Sequence, residues 1–390
     1  MKAGCHFSSP PDSNVDLLVI AGEASGDEHS SILVADLLKH IPSLSISAIG
    51  GPCLEKKGSH LVYPLVDHAV VGVFEVLKNY KEFRNIFASS VKWIKEYKPK
   101  AILLVDYPGF NLRLAKELKK LGLSCKGGGT VKIFQYISPQ LWAWKPKRRF
   151  VMEQILDGLG VLFPFEVDCY NDTQLPVSFV GHPFAQSSYQ SSVRYDSNGP
   201  LLLLPGSRRQ PVERILPVFL DAYEILLKDF PQVQASLPVP DSKIRKVVEG
   251  ILNGRTAIKS KILVVEGDAT ISARAAWMSS GTMSLSCAVS GIPGVIAYRA
   301  HPLTYFLGRI LVKIPYLGMA NILLPDDPPY PEFIQGQANG KQLAEAMSSI
   351  LLDNEAEEKS ALVSEKLLKC LTCSTERGAA KWLIQVASLC

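Results

Sequence analysis

The stretch Val15-Asp-Leu-Leu-Val-Ile-Ala21, running into Gly22-Glu23-Ala24-Ser25-Gly26-Asp27, decides the fold, and a second stretch repeats its plan. There, Leu201-Leu-Leu-Leu-Pro205 runs into Gly206-Ser207-Arg208-Arg209. Each is a continuous apolar run, as expected of a strand buried on both faces of a parallel sheet, breaking into a small-residue turn that can open a helix. Two such units predict an α/β chain of two doubly wound, Rossmann-like domains facing each other across a cleft. Ligands gather at the carboxyl ends of the strands in such domains.

Length and composition agree with two domains. The chain has 390 residues, 47% hydrophobic and 20% charged, which is globular rather than disordered. A net charge of +5 is too small to argue for nucleic acid but suits anionic ligands or an anionic membrane surface. Eight cysteines are scattered apart from Cys370-Leu371-Thr372-Cys373, which lacks the second pair or flanking His of a zinc site. No metal site and no cofactor are expected. The start has no apolar h-region and no run reaches the length of a membrane span, so the expected location is cytoplasmic, soluble or peripheral to a membrane.

Apolar runs alternate with helical spacing along both halves. Strands are predicted over 15–21, 45–49, 101–105, 131–137, 158–163 and 177–180, then over 201–204, 233–237, 262–265, 275–279 and 294–298. Between them, 27–39 and 112–121 read as helices. The expected domains are 1–190, 200–350 and a helical tail, 351–390, packing back on the first. Residues 186–200, rich in Ser, Gln, Asn and Tyr, read as the linker. Gly127-Gly128-Gly129 lacks the Lys-Ser/Thr of a phosphate loop and precedes a strand, so it is expected to be a flexible connection.

Several turns carry chemistry. A helix N-terminus leaves N–H groups unpaired and carries partial positive charge, which suits phosphate. Pro205-Gly206-Ser207-Arg208 and Ser279-Ser280-Gly281-Thr282 both follow strands; together they suggest a diphosphate held between two helix ends, although ordinary capping explains either alone. Asp106, in Val105-Asp106-Tyr107-Pro108-Gly109-Phe110-Asn111, follows a strand and is either a general base or a helix cap. Glu23 and Asp27 are open to the same two readings. Trp142 and Trp144 beside Lys145, Lys147, Arg148 and Arg149 suit a sugar, a phosphate or a membrane interface, or else a packed aromatic with a solvated basic face. His182 reads as a loop histidine. The segment from Val70 to Phe83, with Val73, Phe74 and Leu77 among Lys78 and Lys81, is either a bilayer-surface helix or a core-packed amphipathic one.

Read in order, these blocks resemble the lipid-A-disaccharide synthase family over nearly the full length. The blocks are Gly22-Glu-Ala-Ser-Gly-Asp27, Gly50-Gly51-Pro52, Asp106-Tyr-Pro-Gly-Phe-Asn111, Ser138-Pro-Gln-Leu-Trp-Ala-Trp144, Phe163-Pro-Phe-Glu166, Gly181-His-Pro183, Leu204-Pro-Gly-Ser-Arg208, Ser280-Gly-Thr282, Tyr298-Arg299 and Asn321-Ile-Leu323. The resemblance implies a two-Rossmann-domain glycosyltransferase (GT-B type) that inverts the anomeric centre without a metal. It would join UDP-2,3-diacylglucosamine to 2,3-diacylglucosamine 1-phosphate (lipid X), giving the β-1,6-linked disaccharide 1-phosphate and UDP. Asp106 matches the candidate base. Gly206, Ser207, Arg208, Ser280, Gly281, Thr282, Tyr298, Arg299, Asn321 and Gln335 match the UDP-sugar side; Glu23, Ser25, Gly26, Asp27, Val73, Phe74 and Leu77 fall on the acceptor and lipid side. The resemblance also implies a homodimer and contact with the inner face of a membrane. Two positions depart from the pattern: Ser286 stands where the family usually has a Glu to bind ribose, leaving Glu332 as an alternative carboxylate, and Gln135 stands where a His is common. A UDP-sugar 2-epimerase of the same architecture and a non-catalytic nucleotide-sugar or phospholipid-binding protein are the rival readings.

Overall fold

The computed structural model describes residues 6–12, 14–68, 80–186, 189–266, 270–301, 305, 314–373 and 378–389. The chain divides into two units, residues 1–183 with 371–390, and residues 184–370.

The first unit is built on seven parallel strands in the order β3-β2-β1-β4-β5-β6-β7. They are β1 Leu17–Ala21, β2 Ile46–Ile49, β3 His60–Tyr63, β4 Ala101–Val105, β5 Lys132–Tyr136, β6 Gly158–Val161 and β7 Val177–Phe179. Every residue of β1 and β4 is buried. Such apolar side chains contribute about 1.5–3 kcal/mol each on burial, which explains why the central strands are unbroken hydrophobic runs. The helix Ala24–His40 follows β1 and Pro108–Lys120 follows β4. The helix Ala379–Ala387 also belongs to this unit; its Trp382 meets Phe134 of β5 edge-on at 6.1 Å and lies over Gly160 of β6, where a Cβ would stand 3.0 Å from the indole.

The second unit has six parallel strands in the order β11-β10-β9-β13-β14-β15, and a separate pair, β8 with β12. The ranges are β8 Val193–Tyr195, β9 Leu201–Leu204, β10 Ala235–Val239, β11 Ile262–Glu266, β12 Ile271–Ala273, β13 Ala275–Ser279, β14 Gly294–Tyr298 and β15 Glu332–Ile334. Trp277 of β13 is fully buried, stacks near Phe219 and donates its indole N–H to Leu343 O at 3.1 Å. The segment expected as linker carries β8, and the helix Ala356–Leu371 runs to the end of this unit.

One expectation about the connections fails. The triple glycine is not loose: Gly127 and Gly129 lie against the backbone of Lys119 and of Gly122 and Leu123, with no room for a Cβ. Glycine is needed there for close backbone approach, so the turn between helix and β5 is tight.

Two buried histidines meet in the first unit, with ring centroids 6.0 Å apart between His29 and His182. Burial holds His29 down at about 4 and His182 down at about 3, the latter also lowered by His29. The unfolded chain takes up these protons below about pH 6.5 while the folded chain does not, so stability is full above that pH and declines as pH falls toward 4. His182→Gln should flatten the decline in melting temperature between pH 6.5 and 4 relative to wild type, whatever its own stability. Parallel slopes would show that His182 does not carry the dependence.

Candidate active site

In each unit the strand order reverses beside the first strand, between β1 and β4 and between β9 and β13. Loops leaving those carboxyl ends diverge and leave room for a ligand.

Asp106 leaves β4 at this point in the first unit. Asp106 and Tyr107 are successive left-handed residues, with φ 42° and 44°. Non-glycine residues in that region cost about 1–3 kcal/mol each and persist only where their surroundings hold them. Here the holding groups are amides. Asn111 Nδ2 donates to Val105 O at 3.1 Å and to Asp106 O at 2.8 Å. Gln135 Nε2 donates to Asp106 O and to Ile137 O, both at 3.2 Å. Ile137 is itself left-handed, with φ 71°. The Tyr107 ring lies on Gly22, where any Cβ would enter it, so the two site loops need a glycine at that contact.

The pocket beside Asp106 has a volume of about 260 Å³, and its wall includes Ser138, Trp144, Arg148, Phe163 and Glu166. Trp144 is 42% exposed, with Lys145 Nζ 4.4 Å and Arg148 Cζ 5.5 Å from its ring centre. Arg149 is turned away and grips Asp172 through two nitrogens. Glu166 is buried; burial pushes its carboxyl up to about 7, the charge of Asp106 adding to the effect.

The expected acceptor-side residues separate. Glu23 starts the helix Ala24–His40 and stands close enough to Tyr107 for its charge to help raise that phenol, after burial, to about 12. Ser25 is exposed and Gly26 buried. Asp27 is buried and accepts N–H groups from Gly51 and Cys53 at 2.9 Å and from Leu54 at 3.3 Å. Its carboxylate therefore caps the short helix Pro52–Lys56 and braces the Gly50-Gly51 turn. Val73, Phe74 and Leu77 lie outside the described residues.

In the second unit the turns after β9 and β13 are adjacent. Gly206 has φ 121°, and Ser279 Oγ lies 3.5 Å from where its Cβ would stand. The turns open the helices Arg209–Leu226 and Thr282–Val289, and neither N-cap, Arg208 or Gly281, makes a side-chain cap. Two other helices of the unit are capped, Ser242–Leu252 by Asp241 and Gly340–Leu352 by Asn339, while Thr256–Lys259 and Met319–Leu323 have no side-chain cap either. The two helix N-termini are adjacent at the switch point, an arrangement whose free N–H groups suit an anion, and Ser207, Arg208, Gly281 and Thr282 are exposed there with Ser280 half-buried. Tyr298 and Arg299 end β14 at the same sheet edge.

The remaining nucleotide-side residues serve the scaffold. Gln335 accepts from Ala300 N at 2.9 Å and donates to Ala300 O at 3.3 Å, fixing the chain just after Arg299. Asn321 is buried and bonds Tyr330 O, Tyr330 N and Glu332 Oε1 at 2.8, 3.0 and 2.8 Å. Glu332 also accepts from Leu317 N and Gly318 N, so its carboxylate holds a loop. Ser286 is buried, 3.4 Å from both Tyr189 Oη and Ser191 Oγ. Sequence reasoning assigned no role to Asn111 or Glu166; the available signal was their placement just past β4 and β6, at the ligand-bearing edge.

Two doubly wound parallel sheets, each with its switch point beside the first strand, define a GT-B-type fold. The fold resembles the glycotransferase of kitacinnamycin, with TM-score 0.62 at 12% identity over 96% of this chain and 99% of that one. It also resembles the Neisseria meningitidis UDP-GlcNAc 2-epimerase bound to UDP-GlcNAc, with TM-score 0.56 at 12% identity over 90% of this chain and 99% of that one. Residues 17–385 match the lipid-A-disaccharide synthetase family, and the chain belongs to it. Lipid-A-disaccharide synthase 1 of Legionella pneumophila (strain Lens) is 35% identical over 373 residues, 92% of this chain and 94% of that protein. The lipid-A-disaccharide synthase of Trichlorobacter lovleyi is 36% identical over 354 residues, 87% of this chain and 88% of that protein.

Asn111→Ala should remove the closest bond to the Asp106 carbonyl and cost about 1–3 kcal/mol of stability in urea unfolding. A loss below about 0.5 kcal/mol would mean that the left-handed pair holds without it.

Proposed function

We propose that this chain condenses UDP-2,3-diacylglucosamine with 2,3-diacylglucosamine 1-phosphate, forming the β-1,6-linked disaccharide 1-phosphate and UDP. Family membership supports the substrates, and the carrying observation is Asp106 fixed at the first unit's switch point beside an aromatic and basic pocket wall. In the proposed reaction the acceptor 6-hydroxyl attacks the anomeric carbon, Asp106 takes its proton, and the bond to the UDP oxygen breaks with its electron pair leaving on UDP. Inversion follows from a single displacement. Charge growing on UDP meets Arg208 and the two uncapped helix ends, which are already oriented and so cost no reorganisation.

The epimerase reading rests on likeness of fold at 12% identity alone, whereas the synthase relatives exceed a third identity over most of the chain. Release of UDP is the deciding measurement. It should require both lipids; release or sugar conversion with the UDP-sugar alone favours an epimerase, and none at all a binding protein. Asp106→Asn should lower turnover by roughly a hundredfold or more with UDP-sugar binding intact. Arg208→Ala should weaken UDP binding in calorimetry and slow turnover as well, because the leaving group carries most charge in the transition state. Unchanged turnover in the first variant, or unchanged UDP affinity in the second, removes that residue from the mechanism.

Membrane contact and a homodimer complete the proposal. Among the described residues no helix is long and apolar enough to cross a membrane. Substrates with acyl chains nonetheless require an interface, and Trp144 with Lys145 and Lys147 offers an aromatic and basic one at the membrane's inner face. The chain should float with vesicles containing anionic lipid and sediment as a dimer in detergent; a monomer that stays with the aqueous fraction argues against both.

A further inference from the structure

Glu166 is the acid that the mechanism above leaves unused. It ends the turn Pro164–Glu166 just after β6, is only 3% exposed, and shares the wall of the Asp106 pocket. One oxygen accepts the Phe163 N–H at 3.2 Å. The groups around it come from four segments. Asp106 follows β4; Arg148 opens the helix Arg148–Ile155; Cys169 and Tyr170 occupy the next turn; and Ser138, after β5, shares its hydroxyl proton with Tyr170 at 2.8 Å. The Cys169 thiol and Tyr170 phenol are both pushed up, chiefly by burial, and stay neutral at pH 7. Among the described residues lining the pocket, the one cation is Arg148, stacked on Trp144, and the carboxyl groups are two, Asp106 and Glu166.

That charge count constrains the chemistry. Two ionised carboxylates with one guanidinium would leave the wall net negative against an acceptor that carries a phosphate. With the Glu166 carboxyl neutral, the wall carries one charge of each sign and that carboxyl becomes a hydrogen-bond donor. We propose that Glu166 works as an un-ionised acid, donating a hydrogen bond to the acceptor sugar held beside Asp106. The proposal rests on the acceptor assignment made above. Burial, helped by the Asp106 charge, outweighs the Phe163, Trp142 and Leu162 N–H groups that favour the carboxylate and brings the midpoint to about 7, which supplies the means.

The neutral acid is active, so the rate is full below the midpoint and falls above it. The test is the pH profile of kcat/KM for the acceptor, read as UDP release by the full chain. Wild type should fall above about pH 7. Glu166→Gln, which donates like the neutral acid but never ionises, should keep activity within about threefold at pH 6 and hold it to about pH 8.5. Glu166→Ala should lose about tenfold or more at every pH. A Gln variant that falls with pH as wild type does, or that loses as much as Ala at pH 6, overturns the proposal. The carbon-13 titration of the glutamate carboxyls in wild type, with Glu166→Gln giving the assignment, provides a readout besides activity. A Glu166 midpoint near 4.5 in a chain that makes the disaccharide overturns the donor role alone. A chain that releases no UDP with both lipids, yet titrates Glu166 near 7, overturns the proposed reaction and the donor role with it.

Discussion

Parallel pairing sends every strand's carboxyl end to the same edge of its sheet, because each return must cross the sheet through a helix. In both units of this chain, that constraint places the functional groups. Asp106, Ile137 and Glu166 come from the ends of β4, β5 and β6; Gly206, Ser280 and Tyr298 come from the ends of β9, β13 and β14. Residues up to about a hundred positions apart meet at one edge without any local sequence signal, since the sheet order alone brings them together.

The central strands could be read from sequence because burial on both faces forces continuous apolar runs, as in Leu17–Ala21 and Leu201–Leu204. Some of the outer strands could not, although the edge strands Val177–Phe179 and Ile262–Glu266 could. His60–Tyr63 and Glu332–Ile334 are partly exposed and mix polar with apolar residues, and Val193–Tyr195 is a three-residue strand within a stretch of linker-like composition. Gly127 and Gly129 misled for a related reason: glycine marks flexibility and tight backbone contact alike, and only the neighbours decide which.

The site was legible in outline. The two small-residue turns and Asp106 do follow buried strands at the carboxyl edges of the sheets, as the breaks in the apolar runs predict. What sequence could not supply was the direction of each polar side chain. Asp27 and Asn321 have the chemistry of ligand contacts, yet Asp27 bonds backbone N–H groups from residue 51 onward, and Asn321 bonds the Tyr330 backbone and the Glu332 carboxylate. Caps are equally invisible until the helices are placed: Asp241 and Asn339 cap their helices, whereas the four that open at the switch points have no side-chain cap, and neither do Arg148–Ile155, Thr256–Lys259, Met319–Leu323 and Ala379–Ala387.

The first unit draws on two stretches of chain separated by the whole of the second. Its sheet can assemble once residue 183 has been made, but the face around Phe134 and Gly160 stays uncovered until Trp382 arrives. The second unit, continuous from 184 to 370, has no such dependence. On the ribosome, where domains fold as they emerge, the half carrying Asp106 starts first and finishes last. During that interval the exposed face of its sheet is the part of the nascent chain most in need of protection from aggregation.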